Sequence, residues 1–194
     1  MKKLITLILI FASFFVFSGC EKEEEFLEGK HYVEISVKNY GKIKLELDAD
    51  IAPITVTNFI KLVNNKFYDG LTFHRIVSGF MIQGGDPEAD GTGGSIEKII
   101  GEFKSNGHEN NISHIRGVIS MARESKNMDS ASSQFFIVHQ DSTFLDGDYA
   151  AFGHVVSGME VVDEISKILP INQKTGLVAK RHQPVIEYIK VINK

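Results

Sequence analysis

Residues 73–86 read Phe73-His74-Arg75-Ile76-Val77-Ser78-Gly79-Phe80-Met81-Ile82-Gln83-Gly84-Gly85-Asp86. Arginine and glutamine belong mostly on protein surfaces, yet Arg75 and Gln83 stand among apolar residues. Two placements fit. Arg75 points away from the fold as an ordinary surface charge with a neighbouring amide. Otherwise it points into a groove lined by Phe80 and Met81, where it is a fixed cation beside a hydrophobic pocket.

Other reactive residue types carry weaker patterns. There are 7 histidines, with His74, His139 and His154 in separate apparent strands and His108 and His114 in a polar stretch. None has His-Glu-x-x-His spacing, so no metal site is expected. No Gly-x-Ser-x-Gly elbow marks a nucleophilic serine. Gly91-Thr92-Gly93-Gly94 lacks the lysine of a phosphate-cradling loop, and its glycines suit a tight turn instead. The single cysteine excludes an internal disulfide framework and any multi-cysteine metal site. A net charge of −4 and a pI near 6.0 exclude a broad basic footprint for nucleic acid. No cofactor is expected.

The elements that must position Arg75 follow from periodicity. Val33, Ile35 and Val37 alternate with polar residues, as do Ile43, Leu45 and Leu47. Asn39-Tyr40-Gly41 lies between them, which predicts a hairpin. Pro53 suits a helix's first turn, and Val56, Phe59, Ile60 and Val63 form one apolar helical face. Short apolar runs follow at Leu71–Val77, Phe80–Gln83, Gly117–Ala122, Gln134–His139 and Ala151–Val156. A second helix is predicted around Val161, Val162, Ile165 and Ile168–Leu169, and a last strand over Val185–Ile192. Many short strands with two helices predict a mainly β closed antiparallel barrel or sandwich. No repeat or linker divides the chain from His31 to Lys194, so residues 31–194 read as one domain. Nothing in it demands more than a monomer. The polar segment Glu97–Ser113 suggests no role.

Further blocks decide between the two placements of Arg75. They are Ser120-Met121-Ala122, Ser133-Gln134-Phe135-Phe136-Ile137, Phe144-Leu145-Asp146-Gly147 and Ala151-Phe152-Gly153. With Phe-His-Arg-Ile and Gly91–Gly94 they follow the order and spacing of the cyclophilins. From about Val33 to Ile192 the chain resembles a cyclophilin-type peptidyl-prolyl cis–trans isomerase. The resemblance implies a closed eight-stranded antiparallel β-barrel capped by two α-helices, with a peptide groove outside. It implies that Arg75 is the catalytic arginine and that Gln83 orients it and bonds substrate backbone. By the same resemblance, Phe80, Met81, Phe136 and Leu145 hold the proline ring. Ala122 and Gln134 line the groove, and Arg123 sits where the backbone usually pairs with the peptide. Phe144 and Tyr149 stand where the best-known eukaryotic members carry tryptophan and histidine. Loss of the indole N–H implies weak inhibition by cyclosporin.

The implied substrates are proline-containing peptides and folding proteins. No bond breaks in such a reaction, so no nucleophile, base or metal is needed. An arginine stays charged at any working pH, which predicts turnover nearly flat between about pH 6 and 8. The rival expectation is a peptide-binding or chaperone lipoprotein with incidental catalysis.

The N-terminus carries a different signal. Lys2 and Lys3 precede an uncharged run from Leu4 to Phe17. Its fourteen residues span roughly 21 Å at ~1.5 Å each, short of a ~30 Å hydrocarbon core. That predicts a signal peptide over residues 1–19. Ser18-Gly19-Cys20 resembles a bacterial lipobox, with Phe17 where leucine is usual. The resemblance implies lipidation of Cys20 and a lipid-anchored protein of the bacterial envelope, on the periplasmic face or cell surface. The charge run Glu21–Glu25 cannot pack and predicts an acidic tether over residues 20–30. Lys22-Glu23-Glu24 further resembles a surface-export signal.

Overall fold

The computed structural model describes residues 25–194; Cys20, the signal segment and Lys22-Glu23-Glu24 lie outside them. The described chain is mainly β. β1 (Lys30–Val37) and β2 (Gly41–Asp48) form the expected hairpin, in register from Lys30 opposite Asp48 to Val37 opposite Gly41. Asn39 turns it with φ +67°. Then come α1 (Pro53–Asn64), β3 (Phe73–Val77), β4 (Met81–Gly84), β5 (Val118–Met121), β6 (Phe135–Val138), β7 (Ala151–Ser157), α2 (Met159–Ile165) and β8 (Ile186–Ile192). No helix among the described residues is long and apolar enough to cross a membrane.

All ladders are antiparallel, in the order β3-β4-β6-β5-β7-β2-β1-β8. The sheet curls into a half-barrel and does not close, which corrects the closed barrel expected from sequence. The reason lies on the outer edge of β3. Its hydrogen bonds are taken by residues 176–178: Ile76 N–H donates to Gly176, and Val178 N–H donates to the His74 carbonyl. Only the start of β3 meets β8's entry, through the single bridge Thr72–Val185 and Phe73 N–H on the Pro184 carbonyl. Pro184 has no N–H with which to continue a ladder.

The concave face of the sheet and α1 enclose an aromatic core. Phe59, on the buried face of α1, lies 5.1 Å from Tyr68, 5.2 Å from Phe152 and 5.6 Å from Phe135. Ala52, before the helix, offers no side-chain cap. Glu102 supplies one from afar, accepting the N–H groups of Ile54 (3.0 Å) and Thr55 (2.7 Å). These are donors that a helix start leaves unpaired, and a carboxylate there also suits the helix dipole. The segment Glu97–Ser113 therefore has a structural task, with Glu102 and Phe103 both buried. α2 stops at Ile165, short of the predicted Ile168–Leu169; Leu169 is exposed and has no surface to pack on.

The central strands β4, β5 and β6 are covered on both faces. Phe135 and Ile137 point into the core, while Phe136 and Val138 join a smaller cluster outside with Met81, Val118, Leu145 and Ala151. Two-sided burial explains why these strands read as unbroken apolar runs.

Candidate active site

A β-bulge decides where Arg75 points. Side chains alternate along a strand, so Phe73 and Arg75 would normally share a face. The β3–β4 register shifts between them, Phe73 facing Gly84 and Arg75 facing Gln83. The extra residue is His74. Phe73 and Ile76 both enter the core while Arg75 emerges on the convex face. Bulges next to active sites commonly re-aim side chains in this way. His74 is fully buried, and neither ring nitrogen has a hydrogen-bond partner. Burial lowers its pKa, with the Asp86 carboxylate opposing.

The guanidinium of Arg75 is held at two nitrogens. Nε donates to the Thr175 carbonyl at 2.7 Å, and Nη1 donates to Gln83 Oε1 at 3.0 Å and contacts Met81 Sδ at 3.6 Å. Gln83 Nε2 donates to Gln134 Oε1 at 2.8 Å. Gln134 Nε2 donates in turn to the carbonyls of Gly93 (2.7 Å) and Gly91 (3.2 Å). This amide chain aims the Gln83 oxygen at the arginine. Its far end is fixed by buried Asp86, which accepts the N–H groups of Glu88 (2.9 Å), Asp90 (3.1 Å) and Gly91 (2.6 Å). A Cβ at Gly93 would lie 2.2 Å from Asp86 Oδ1, so the loop closes on the carboxylate only with glycine there. Burial lowers the Arg75 pKa, with Tyr149 opposing. The group still stays charged at neutral pH.

Arg75 lines a cavity of about 280 Å³ with Phe80, Met81, Gln83, Ala122, Arg123, Phe136, Phe144, Leu145 and Tyr149. Met81 is the floor. Phe80 lies 5.9 Å from the guanidinium carbon, and Phe144, 72% exposed, leans over Phe80 at 5.5 Å. Of the residues singled out within the described chain, only Gln134 is absent from this cavity. It lines an adjoining polar hollow of about 380 Å³ with Gly91–Ser95, Lys98, Ser130 and Ser132, which the first cavity joins at Gln83, Ala122 and Arg123. The Arg123 side chain is sandwiched between Phe103 (5.2 Å) and Tyr149 (4.8 Å), its Nε donating to the Asp148 carbonyl at 2.9 Å.

Sequence reasoning missed two supports of this cavity. His114, expected in a polar stretch, is fully buried. Its ring stacks 6.0 Å behind Phe136, with Nδ1 2.9 Å from Asp146 Oδ1 and Nε2 3.1 Å from Ser120 Oγ. Burial lowers its pKa, with the Asp146 hydrogen bond opposing. Burial raises the Asp146 pKa, but hydrogen bonds from Ser113, the His114 N–H and the His114 ring outweigh it, so the net shift is downward. The arrangement has the composition of a hydrolase triad, but Ser120 is inaccessible. It buttresses the pocket instead. The second support is Thr175, one hundred residues along the chain from Arg75. Its contribution is a backbone carbonyl, which leaves no mark in residue type. Among the described residues, no group of three or more His, Cys, Asp or Glu could hold a metal ion.

The convex groove thus combines an apolar pocket, a fixed cation and a polar annex. Comparison with known proteins makes the class specific. The family described as cyclophilin type peptidyl-prolyl cis-trans isomerase/CLD matches residues 32–191. Peptidyl-prolyl cis-trans isomerase A of Dickeya dadantii is 42% identical over 159 residues, covering 79% of this chain and 81% of that protein. Peptidyl-prolyl cis-trans isomerase B of Bacillus subtilis is 47% identical over 126 residues, covering 65% and 84%. A crystal structure of a Cryptosporidium parvum cyclophilin, obtained in the presence of the dipeptide Ala-Pro, superimposes with a TM-score of 0.74 at 30% identity, covering 84% of this chain and 99% of that one. The chain belongs to the cyclophilin-type peptidyl-prolyl cis–trans isomerases, enzymes that act on proline-containing peptides and proteins.

Proposed function

We propose that this isomerase works by pressing the Arg75 guanidinium against the imide nitrogen of a proline whose ring sits among Phe80, Met81, Phe136 and Leu145. An X–Pro bond prefers trans by only ~0.5–1 kcal/mol, yet exchanges over tens to hundreds of seconds. The barrier of ~18–20 kcal/mol is amide resonance. In the twisted transition state that resonance is lost and the nitrogen regains its lone pair. A cation beside it stabilises the twisted form more than the planar one, and only such differential binding accelerates the step. The apolar wall holds the ring still while the preceding carbonyl swings. One observation carries this reading. Arg75 stands on the wall of the apolar cavity with Nε and Nη1 engaged, and among the described residues Nη2 has no protein acceptor.

The test is the exchange rate of an Ala-Pro-containing peptide with the purified full chain and its Arg75→Ala variant. Lost catalysis with peptide binding kept is the expected result. A wild type that binds but does not catalyse would favour the chaperone reading. We also infer that the enzyme works outside the cytoplasm, anchored through lipid on Cys20, where it assists extracytoplasmic folding. The support is Lys2 and Lys3, the apolar run from Leu4 to Phe17 and Ser18-Gly19-Cys20. Radiolabelled palmitate should enter the wild type and not Cys20→Ala, and digestion of intact cells with protease should distinguish a surface location from a periplasmic one.

A further inference from the structure

We propose that the turn at residues 172–176 is a positioning element for Arg75, its Thr175 carbonyl setting the orientation in which the guanidinium meets the substrate. The proposal rests on the arginine reading above. A planar cation held at one nitrogen pivots about that bond, whereas two acceptors on different nitrogens fix its plane. Gln83 provides one, at Nη1, and the Thr175 carbonyl provides the other, at Nε.

The turn is constructed around that carbonyl. Ile171 N–H donates to the Leu177 carbonyl and Gly176 N–H to the Asn172 carbonyl, each at 2.8 Å. Asn172 Oδ1 accepts the N–H groups of Lys174 (3.0 Å) and Thr175 (3.3 Å), an Asx-type turn. Gly176, at φ +77°, lays the turn flat on β3, where a Cβ would stand 2.5 Å from Val77 Cγ2. Apolar burial does not hold this segment, because Leu169 and Ile171 just before it are exposed (83% and 73%). Its order comes from hydrogen bonds of the backbone, of the Asn172 side chain and of the Thr175 hydroxyl, which accepts the Leu177 N–H at 3.4 Å.

A merely structural role, covering the β3 edge, needs the bonds of Gly176 and Val178 to Ile76 and His74. It does not need the Thr175 carbonyl. Asn172→Ala separates the two roles, since it frees the Lys174–Thr175 peptides and leaves that edge ladder in place. Asn172→Asp keeps the acceptor and serves as the rescue. Two quantities are measured in the full chain: kcat and KM for a proline peptide, and the solvent exchange of the Arg75 Nε–H by NMR. Asn172→Ala should lower kcat about tenfold, the equivalent of ~1.4 kcal/mol, leave KM within about twofold, and speed Nε–H exchange. Asn172→Asp should restore both. Gly176→Ala, which lifts the turn off Val77, should act in the same direction. Wild-type kcat in both Asn172→Ala and Gly176→Ala would overturn the proposal. So would a kcat loss with Nε–H exchange unchanged, or an equal loss in Asn172→Asp. Full turnover by Arg75→Ala is a separate outcome; it would remove the arginine reading itself.

Discussion

Phe135 and Phe136 are neighbours on one strand with the same side chain, and they face opposite environments. Phe135 is enclosed on the concave side, 5.6 Å from Phe59 and Tyr68 and 6.0 Å from Phe73, all edge-on. Phe136 stands on the convex side against Tyr149 and His114, with its remaining surface on the 280 Å³ cavity. Inside, aromatic rings meet other rings until no space is left. Outside, the cluster of rings stops at the 280 Å³ cavity. On the proposed reading, stability and function are divided across a single pleat of the sheet.

The largest effect should come from the enclosed side. Phe135→Ala should cost about 3–5 kcal/mol, lowering the melting temperature by roughly 2–4 °C per kcal/mol for a chain of this size. Thermal unfolding followed by circular dichroism measures it. Next is Arg75→Ala, expected to lower kcat/KM about 10²–10³-fold, as loss of one transition-state electrostatic partner does, with unfolding little changed. Phe136→Ala should fall between in kind: a drop of about tenfold in kcat/KM, mostly through KM, and a smaller loss of melting temperature than Phe135→Ala. Equal destabilisation by the two phenylalanine variants would break the division.

The convex side was the more legible in sequence, because its chemistry depends on unusual residue types. Arginine and glutamine among apolar residues stand out, and the structure brings Arg75, Gln83, Phe80, Met81, Phe136 and Leu145 around one cavity. The frame was legible where one face is solvated: β2 alternates as written, and α1 begins at Pro53, whereas β1 alternates in residue type only, since Glu34 and Ser36 are buried as well. What stayed hidden depends on backbone or on distant parts of the chain. The bulge at His74 changes which face Arg75 uses without changing any residue type. Glu102 caps a helix 47 and 48 residues away, and Thr175 reaches Arg75 through a carbonyl. Barrel closure was misjudged for the same reason, since residues 176–178 occupy the β3 edge through main-chain bonds. His114 was misplaced because the stretch 105–116 around it is mostly polar, whereas its neighbours in space are Phe136 and Tyr149.

The smallest expected effect asks whether the two sides also respond to acid separately. Behind the pocket, burial lowers the His114 pKa, and in the β3 bulge burial does the same to His74. A folded-state value below the ordinary ~6.5 means the unfolded chain takes up the proton first. Stability from these groups is complete above about pH 6.5 and is lost as pH falls through the lower folded values. Towards the opposite edge of the sheet, on β1, Lys42 chiefly, then Tyr188 and Lys190, hold the Glu34 carboxyl at about 2 against the cost of its burial. Its contribution is complete above about pH 4.3 and is lost as pH falls towards 2. Both lysines are exposed, so solvent screening keeps the contribution of the pairing small. Melting temperature against pH should therefore descend in two stages. Glu34→Gln should shrink the lower stage, to which Asp146 also contributes, and His114→Gln should shrink the upper, leaving the share of His74. On the proposed mechanism turnover should stay level between about pH 6 and 8, because the charge it assigns to the step is a guanidinium. A steep change of kcat inside that window, with melting temperature constant, would mean that a titrating group other than Arg75 takes part in the rotation.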